Sequence, residues 1–333
     1  MYQIVLTTYN FNRRVKMKAV VIGGSGHIGT FLIPRLVESG YDVINVTRGT
    51  RAPYKPHKAW VQVTQVTLDR DEEEKSGTFG SKIQSMNPDV VIDLICFTLE
   101  SAEHIVNALK GRIRHFLHCG TVWTHGFNIK IPVTEDQPRI PIDDYGTKKA
   151  AIEDYLHREA ALNGFPMTIV MPGHIVGPGW VPLNPVGNFN PHVYEELSTG
   201  KPFELPNLGL ETLHHVHADD VAQVFMKSLF NCSTALGENF HVVSEQALSL
   251  RGYAAAVIRW FGKEPELYYT PVNEWGADAS EEDSQQTRWH VNHSSHCSIE
   301  KAKRLLGYQP RYSSLEAIFE SLTWLIDNGE IKV

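Results

Sequence analysis

A short apolar run, Lys18–Ile22, stops in Gly23-Gly24-Ser25-Gly26-His27-Ile28-Gly29, after which Phe31, Leu32, Leu36 and Val37 recur at helical spacing up to Gly40. Strand, glycine turn, helix and cap follow one another without a spare residue. Gly24, Gly26 and Gly29 satisfy G-x-G-x-x-G, and Gly23, Gly26 and Gly29 also read as G-x-x-G-x-x-G. Three demands explain such spacing: a tight turn, a backbone free to approach a pyrophosphate, and a helix seated close to its strand. The amides at the helix start then face the phosphates. A tight turn with no ligand is the plain alternative. The preceding strand and following helix favour a dinucleotide, held by Gly23, Gly24, Ser25, Gly26, His27, Ile28 and Gly29.

The strand–helix rhythm continues. Val43–Val46 and Trp60–Val66 read as strands, and Asp89–Cys96 is apolar along most of its length, as a strand buried on both faces should be. Ala102–Leu109 reads as a crossover helix, Phe116–Cys119 as a strand, 144–162 as a long helix and Met167–Met171 as a sixth strand ended by Pro172-Gly173. The expected fold is α/β: a Rossmann-type parallel sheet with helices on both faces, plus a smaller, partly interleaved C-terminal substrate domain. Residues 1–16 read as an extension, 17–172 and 217–244 as the dinucleotide-binding domain, and 173–216 and 245–333 as the substrate domain. Asn239–Val243 is a candidate strand returning to the main sheet. Helices are expected near 191–199, Asp219–Leu229, Leu248–Phe261 and Leu315–Ile326. The polar stretch Trp275–Ser295 has weak periodicity and reads as a flexible surface segment, and 69–82 reads as a solvated surface.

A formal net charge of -7 and the lack of a Lys/Arg run argue against nucleic acid or an anionic membrane as partner. Cys96, Cys119, Cys232 and Cys297 form no C-x-x-C pair, which fits a reducing cytoplasm better than a disulfide framework. In residues 1–16 the arginines follow the apolar stretch, unlike a secretory leader, so an edge strand, an arm to a second subunit of a homodimer, or a natural start at Met17 is the expectation there.

Two further features point to chemistry. Dinucleotide-binding folds commonly carry an acid near the end of the second strand to hold the ribose 2′-hydroxyl. Here that strand ends in Val46-Thr47-Arg48-Gly49, with Arg51 close by. A guanidinium suits a 2′-phosphate, so NADP is favoured over NAD, although an arginine could stack on adenine without choosing. Tyr145 and Lys149 lie four apart at the start of a helix, hence on one face. An ammonium near a phenol favours phenolate, and such a tyrosine can exchange a proton with a hydroxyl or carbonyl substrate.

Together these segments resemble the extended short-chain dehydrogenases/reductases, the NAD-dependent epimerase/dehydratase superfamily. The glycine turn is similar to its cofactor fingerprint, and Tyr145 and Lys149 to its Tyr-x-x-x-Lys pair. His118–Trp123 resembles its Ser-Ser-x-x-Val-Tyr segment, and Pro172–Pro178 its Arg-Pro-x-x-Val-Tyr-Gly-Pro segment. His217–Ala222 and Lys301–Pro310 match two later motifs, so the likeness spans about 17 to 328. The resemblance implies that Tyr145 is the acid/base and that Lys149 holds the nicotinamide ribose and lowers the tyrosine pKa. It places Asp69 and Arg70 near the adenine, and adds Ile95, Cys96 and Pro172 to the cofactor set. It implies hydride transfer at a hydroxyl or carbonyl carbon of a small or sugar-like molecule, as reductase, epimerase or dehydratase. A non-catalytic NADP(H)-binding sensor or binding module is the alternative.

The departures from the family pattern are specific. Cys119 stands where the family has its catalytic Ser or Thr, leaving either a weak thiol donor or nearby Thr121 for that task. Met171 and Trp123 replace a family arginine and tyrosine. The stretch Leu210–His215 lacks the arginine that nucleotide-sugar enzymes carry there, which argues against a nucleotide-sugar substrate unless Arg251 or Arg288 supplies the charge. His214, His215 and His217 cluster with Asp219, but alternate strand positions face opposite ways, so no metal is expected. His174 and His125 are candidate pocket residues, and the Pro/Gly/Asn-rich 176–191 segment, with Trp180 and Phe189, is either a lid or a structural loop.

Overall fold

The computed structural model describes residues 16–276 and 279–333, so all but the last residue of the expected N-terminal extension lies outside the described residues. In chain order the first half comprises β1 (Lys18–Ile22), α1 (His27–Glu38), β2 (Asp42–Thr47), β3 (Thr64–Thr67), α2 (Arg70–Lys75), α3 (Phe79–Ser85), β4 (Val90–Asp93), α4 (Leu99–Leu109), β5 (His115–Cys119), α5 (Asp144–Asn163) and β6 (Met167–Pro172). The second half adds β7 (His174–Val176), α6 (His192–Ser198), β8 (Phe203–Pro206), β9 (Thr212–Leu213), β10 (His215–His217), α7 (Ala218–Phe230), α8 (Cys232–Ala235), β11 (Asn239–Val242), β12 (Leu248–Ser249), α9 (Leu250–Trp260), β13 (Leu267–Thr270), α10 (Glu281–His293), α11 (Glu300–Leu306) and α12 (Ser314–Asp327).

Seven parallel strands form the main sheet in the order β11-β6-β5-β4-β1-β2-β3. The order runs outward in both directions from β1, leaving a switch point at the carboxyl ends of β1 and β4, where open α/β sheets bind ligands. The central strands are apolar because helices cover both faces: β1 buries Ala19, Val20, Val21 and Ile22, and β4 buries Val90, Val91 and Ile92. A second core gathers Tyr194, Leu205, Tyr253, Val257, Ile318 and Leu322 from α6, α9, α12 and the short strands, with Leu183 from the loop after β7. The expected Rossmann sheet with a smaller C-terminal α/β part is therefore the observed architecture. One boundary differs from the expectation: Cys297, Ile299, Ala302, Leu306 and Tyr308 pack into the first core although 245–333 was assigned to the second. Lys301 there reaches Asn239 at 3.0 Å and Glu238 at 2.8 Å, tying α11 to the edge strand β11.

Two other expectations are corrected, and the solvated 69–82 surface proves to be helical. The stretch Trp60–Val66 is a 3₁₀ turn over Lys58–Gln62 followed by the short strand β3. The charged 69–82 region contains two helices: Asp69 caps α2 by accepting from Asp71 N and Glu72 N, and α3 buries Phe79 and Ile83. The polar 275–295 region contains the thirteen-residue helix α10. Its buried face is Ser284, Thr287, His290, Val291 and His293, so the inward stripe is itself mostly polar and invisible to a hydropathy pattern. No helix among the described residues is long and apolar enough to cross a membrane.

Candidate active site

The glycine turn sits at the sheet's switch point, and each glycine answers a different demand. Gly23 has φ of 85°, open to glycine at little cost, and its amide donates to Val46 O at 2.9 Å. At Gly29 a Cβ would run into the Gly24 backbone, and Gly24 itself is packed against Asn45 and Ile33, facing the protein interior. Gly26 is unlike both: a Cβ there would meet only Gly23 O, at 3.5 Å, and would otherwise stand in the cleft. Helix α1 has no side-chain cap at Gly26 and no acid in its first turn. Uncapped first-turn amides beside an open glycine make a cradle that fits a pyrophosphate.

Two adjoining recesses leave this turn. The smaller, about 320 Å³, is lined by Ser25, Thr47, Arg48, Thr50, Arg51, Asp69 and Arg70 at the end of β2. Arg48 and Arg51 are exposed there. Arg70 reaches the recess wall, but its guanidinium is engaged: it donates to Asp93 at 2.9 and 3.0 Å and to Glu74 at 2.6 Å. It is therefore a strut between α2 and β4. The larger cleft, about 630 Å³, runs from Gly26, His27, Ile28 and Gly29 past Ile95, Cys119, Thr121, Tyr145, Lys149 and Pro172. Cys96 does not line it; its thiol is buried and pushed up to about 12 by burial and Asp93.

Tyr145 and Lys149 meet in this larger cleft. Asp143 begins helix α5 and accepts from Gly146 N at 2.7 Å, so Tyr145 falls in the first turn and Lys149 one turn later. The Lys149 side chain is buried, and its ammonium donates to Cys96 O at 2.7 Å and Cys119 O at 2.8 Å. It also lies over the Phe97 ring, 4.8 Å from the centroid. The Tyr145 ring is 44% exposed, into the cleft. Burial of its hydroxyl and the neighbouring Cys119 push the phenol above its ordinary value, and the Thr121 hydroxyl opposes them. Cys119 is pushed up to about 11 by burial, so it is a neutral thiol near neutral pH. Thr121 caps the turn Val122–His125, accepting from Trp123 N at 3.2 Å, and keeps its hydroxyl on the cleft. Cys119 and Thr121 thus both reach the cleft beside Tyr145.

The opposite wall was only partly legible in the sequence. Trp123, His174, Trp180 and Phe189 were singled out there; Asp143, Gln286, Trp289 and His290 were not. The last three come from α10. A sequence signal for that helix existed: Ser280 followed by Glu281-Glu282-Asp283 is a capped, acidic first turn, and Ser280 accepts from Asp283 N at 3.0 Å. The 176–191 segment is pinned to this wall, with Leu183 and Val186 in the second core and Asn188 donating to Thr287 at 3.2 Å. His27 stacks on Tyr54 with centroids 4.1 Å apart and meets the edge of Trp180 at 4.0 Å. Burial lowers it to about 4.

His125, His214, His215 and His217 have structural partners. His125 stays away from the cleft, its Nε2 2.8 Å from that of His241. His214 accepts from Cys297 N and reaches Ser244 O, His215 reaches Leu183 O at 3.0 Å, and His217 caps α7 by accepting from Asp219 N. Among the described residues no three metal-capable side chains are grouped. The acids after His217 pin the chain: Asp219 takes Arg35 and Arg311, and Asp220 accepts from Arg311 N and Tyr312 N.

Comparison with known proteins agrees with this geometry. A chloroplast stem-loop binding protein of 41 kDa from Arabidopsis thaliana is 26% identical over 316 residues, covering 91% of this chain and 78% of its own. A 2'-dehydrokanamycin reductase from Streptomyces kanamyceticus is 26% identical over 82% of this chain and 75% of its own. Among solved structures, UDP-glucose 4-epimerase from Thermotoga maritima superposes with a TM-score of 0.71 at 20% identity, covering 94% of this chain and 99% of that one. UDP-glucuronic acid 4-epimerase from Bacillus cereus, solved with UDP-glucuronic acid and NAD, gives 0.72 at 20% identity over 94% and 100%. At those identities the superpositions establish the fold alone. The family model of the NAD dependent epimerase/dehydratase family matches residues 19–242, well over half of the sequence, and the chain belongs to that family.

Proposed function

We propose that the protein is an NAD(P)-dependent dehydrogenase/reductase or epimerase in which Tyr145 exchanges the proton at a hydroxyl or carbonyl carbon of a small or sugar-like substrate. The observation that carries this reading is the pair itself: Tyr145 open to the cleft and Lys149 one turn below it, both beside a glycine cradle that fits a pyrophosphate. Gly23 to Gly29 would hold the pyrophosphate, with Ile95 and Pro172 flanking the nicotinamide end and Asp69 and the rim of Arg70 at the adenine end. Arg48 and Arg51 beside the second strand favour NADP, since two exposed guanidiniums suit a 2′-phosphate. When bound, the nicotinamide ring supplies the site that gives or takes a hydride.

The chain's own residues handle the proton and the geometry. The Tyr145 hydroxyl donates to, or accepts from, the reacting substrate oxygen. Lys149, fixed by two carbonyls, would bring a positive charge to the cofactor side of the phenol, while the Thr121 hydroxyl opposes the upward push of burial on it. Thr121 is the better donor to the substrate oxygen, because even the neutral Cys119 thiol is only a weak hydrogen-bond donor. The test is a cofactor-absorbance assay with NADPH and NADH against a panel of ketones and sugars, run with Tyr145→Phe alongside. Turnover that the variant abolishes supports the reading. Cofactor binding with no turnover of any carbonyl would make the protein a binding module instead.

A further inference from the structure

Among the described residues, the substrate half of the cleft carries rings, neutral polar groups and the Asp143 carboxylate, but no free cation. Among the described residues, its only positively charged lining side chains are Arg51 and Lys149. Arg51 is shared with the recess at the end of β2, on the cofactor side. Lys149 already donates to two carbonyls. Neither Arg251 nor Arg288 lines the cleft: Arg251 lies 5.9 Å from the Tyr269 ring centroid and Arg288 pairs with Glu281 at 3.1 Å. The histidines supply no charge near neutral pH, since burial holds His174 well below its ordinary value and His290 at about 4. A phosphate or diphosphate on the substrate would find no partner here.

What the wall does offer is matched to hydroxyls. Among the described residues no side-chain hydrogen bond engages His174, which lines the cleft and packs 5.2 Å from His290 and 6.2 Å from Trp123 between ring centroids. A neutral imidazole presents one donor and one acceptor, and a hydroxyl can engage either. Gln286, which donates to Glu282 at 3.3 Å and accepts from Phe189 N at 3.4 Å, keeps a second N–H and a second lone pair for a ligand, and Trp123, Trp180 and Trp289 add flat apolar faces. We propose that this half of the cleft takes an unphosphorylated sugar or cyclitol, its C–H face against the indoles and its hydroxyls on His174 and Gln286. An aromatic alcohol would satisfy the indoles but leave the imidazole unpaired, which is costly in a desolvated site. The proposal rests on the cleft being the reaction site argued above and adds which substrates it admits.

The test uses the full-length, cofactor-loaded protein, titrated calorimetrically with myo-inositol, D-glucose, D-galactose, glucose 6-phosphate, UDP-glucose and benzyl alcohol. The expected result is that an unphosphorylated polyol binds at least about tenfold more tightly than the phosphorylated, nucleotide-linked and aromatic probes. Trp289→Ala, at an exposed position that folding tolerates, should weaken that polyol by roughly tenfold, and His174→Asn, which keeps a donor and an acceptor, should weaken it less than His174→Ala. Tighter binding of UDP-glucose or benzyl alcohol, or no binding of any polyol, overturns the proposal. The same samples are followed by NAD(P)H absorbance. Polyol binding without hydride exchange would overturn the redox reading and leave the substrate class standing; turnover of UDP-glucose alone would do the reverse.

Discussion

The indole N–H of Trp123 donates to one oxygen of Asp143 at 2.8 Å, while the other oxygen of that carboxylate accepts from Gly146 N at 2.7 Å. One side chain therefore fixes both a wall of the cleft and the first turn of the helix that carries Tyr145. Asp143→Ala removes a helix cap and strands a buried indole N–H. A loss of about 1–3 kcal/mol in urea denaturation is expected, with turnover falling more than cofactor affinity. Asp143→Asn keeps an acceptor and should retain most of the stability. Equal stability of Asp143→Ala and wild type would mean that the carboxylate is not the anchor described.

Tyr145→Phe deletes one hydroxyl and keeps the ring. If that hydroxyl carries the proton, turnover should fall by roughly 10²–10⁴-fold while cofactor affinity is spared. Lys149→Ala should damage both, and should also lower stability, because two carbonyls lose their donor inside the protein. Retention of more than about a third of the wild-type rate by Tyr145→Phe, with chemistry rate-limiting, would refute the mechanism.

The glycines separate folding from binding. Gly29→Ala places a methyl on the Gly24 backbone and should yield little folded protein. Gly26→Ala meets only ordinary contact at 3.5 Å from Gly23 O, so it should fold normally yet lose cofactor affinity, because its methyl occupies the cradle. Circular dichroism and calorimetric cofactor titration read the two outcomes apart, and unchanged affinity in Gly26→Ala would remove the cradle from the cofactor site.

Arg48→Ala should weaken NADPH and leave NADH nearly unchanged, as a 2′-phosphate contact requires. Equal affinity of the wild-type protein for both cofactors would show that the exposed arginines at the end of β2 do not choose between them.

Glu153, one turn beyond Lys149 on α5, is fully buried and held up to about 8 by burial, opposed by Arg139 and Lys149. Its folded-state pKa lies above its unfolded value, so the folded protein binds the extra proton between about pH 4.5 and 8. Stability should therefore fall as pH rises through that window. Glu153→Gln should flatten this dependence and be the more stable protein at the alkaline end. A wild-type slope that the variant leaves unchanged would assign the dependence to another group.

Much of the fold was legible because its signals are local and apolar. The Gly23–Gly29 turn, the buried strand at Val90–Asp93 and the return strand at Asn239–Val242 all follow from runs of a few residues. The cofactor half of the site was legible for the same reason, since a pyrophosphate cradle is backbone chemistry that only glycine spacing can write. The substrate half was not. Helix α10 buries Ser284, Thr287 and His290, so its inward stripe reads as surface, and only its cap at Ser280 betrays it. Arg70 looked like a ligand contact by position; its pairing with Glu74, four residues on in the same helix, is local, but Asp93 lies on a segment whose proximity is a product of the tertiary fold.

The two carbonyls that hold the Lys149 ammonium, at Cys96 and Cys119, belong to chain segments leaving β4 and β5, which are neighbours in the sheet. The position of that charge is consequently triangulated from two strand ends and does not depend on the helix alone. A substitution deep in the sheet, at Ile92 or Leu117, that lets one strand slide against the other would move the charge without touching the cleft. The rate of such a protein would then report the alignment of its core.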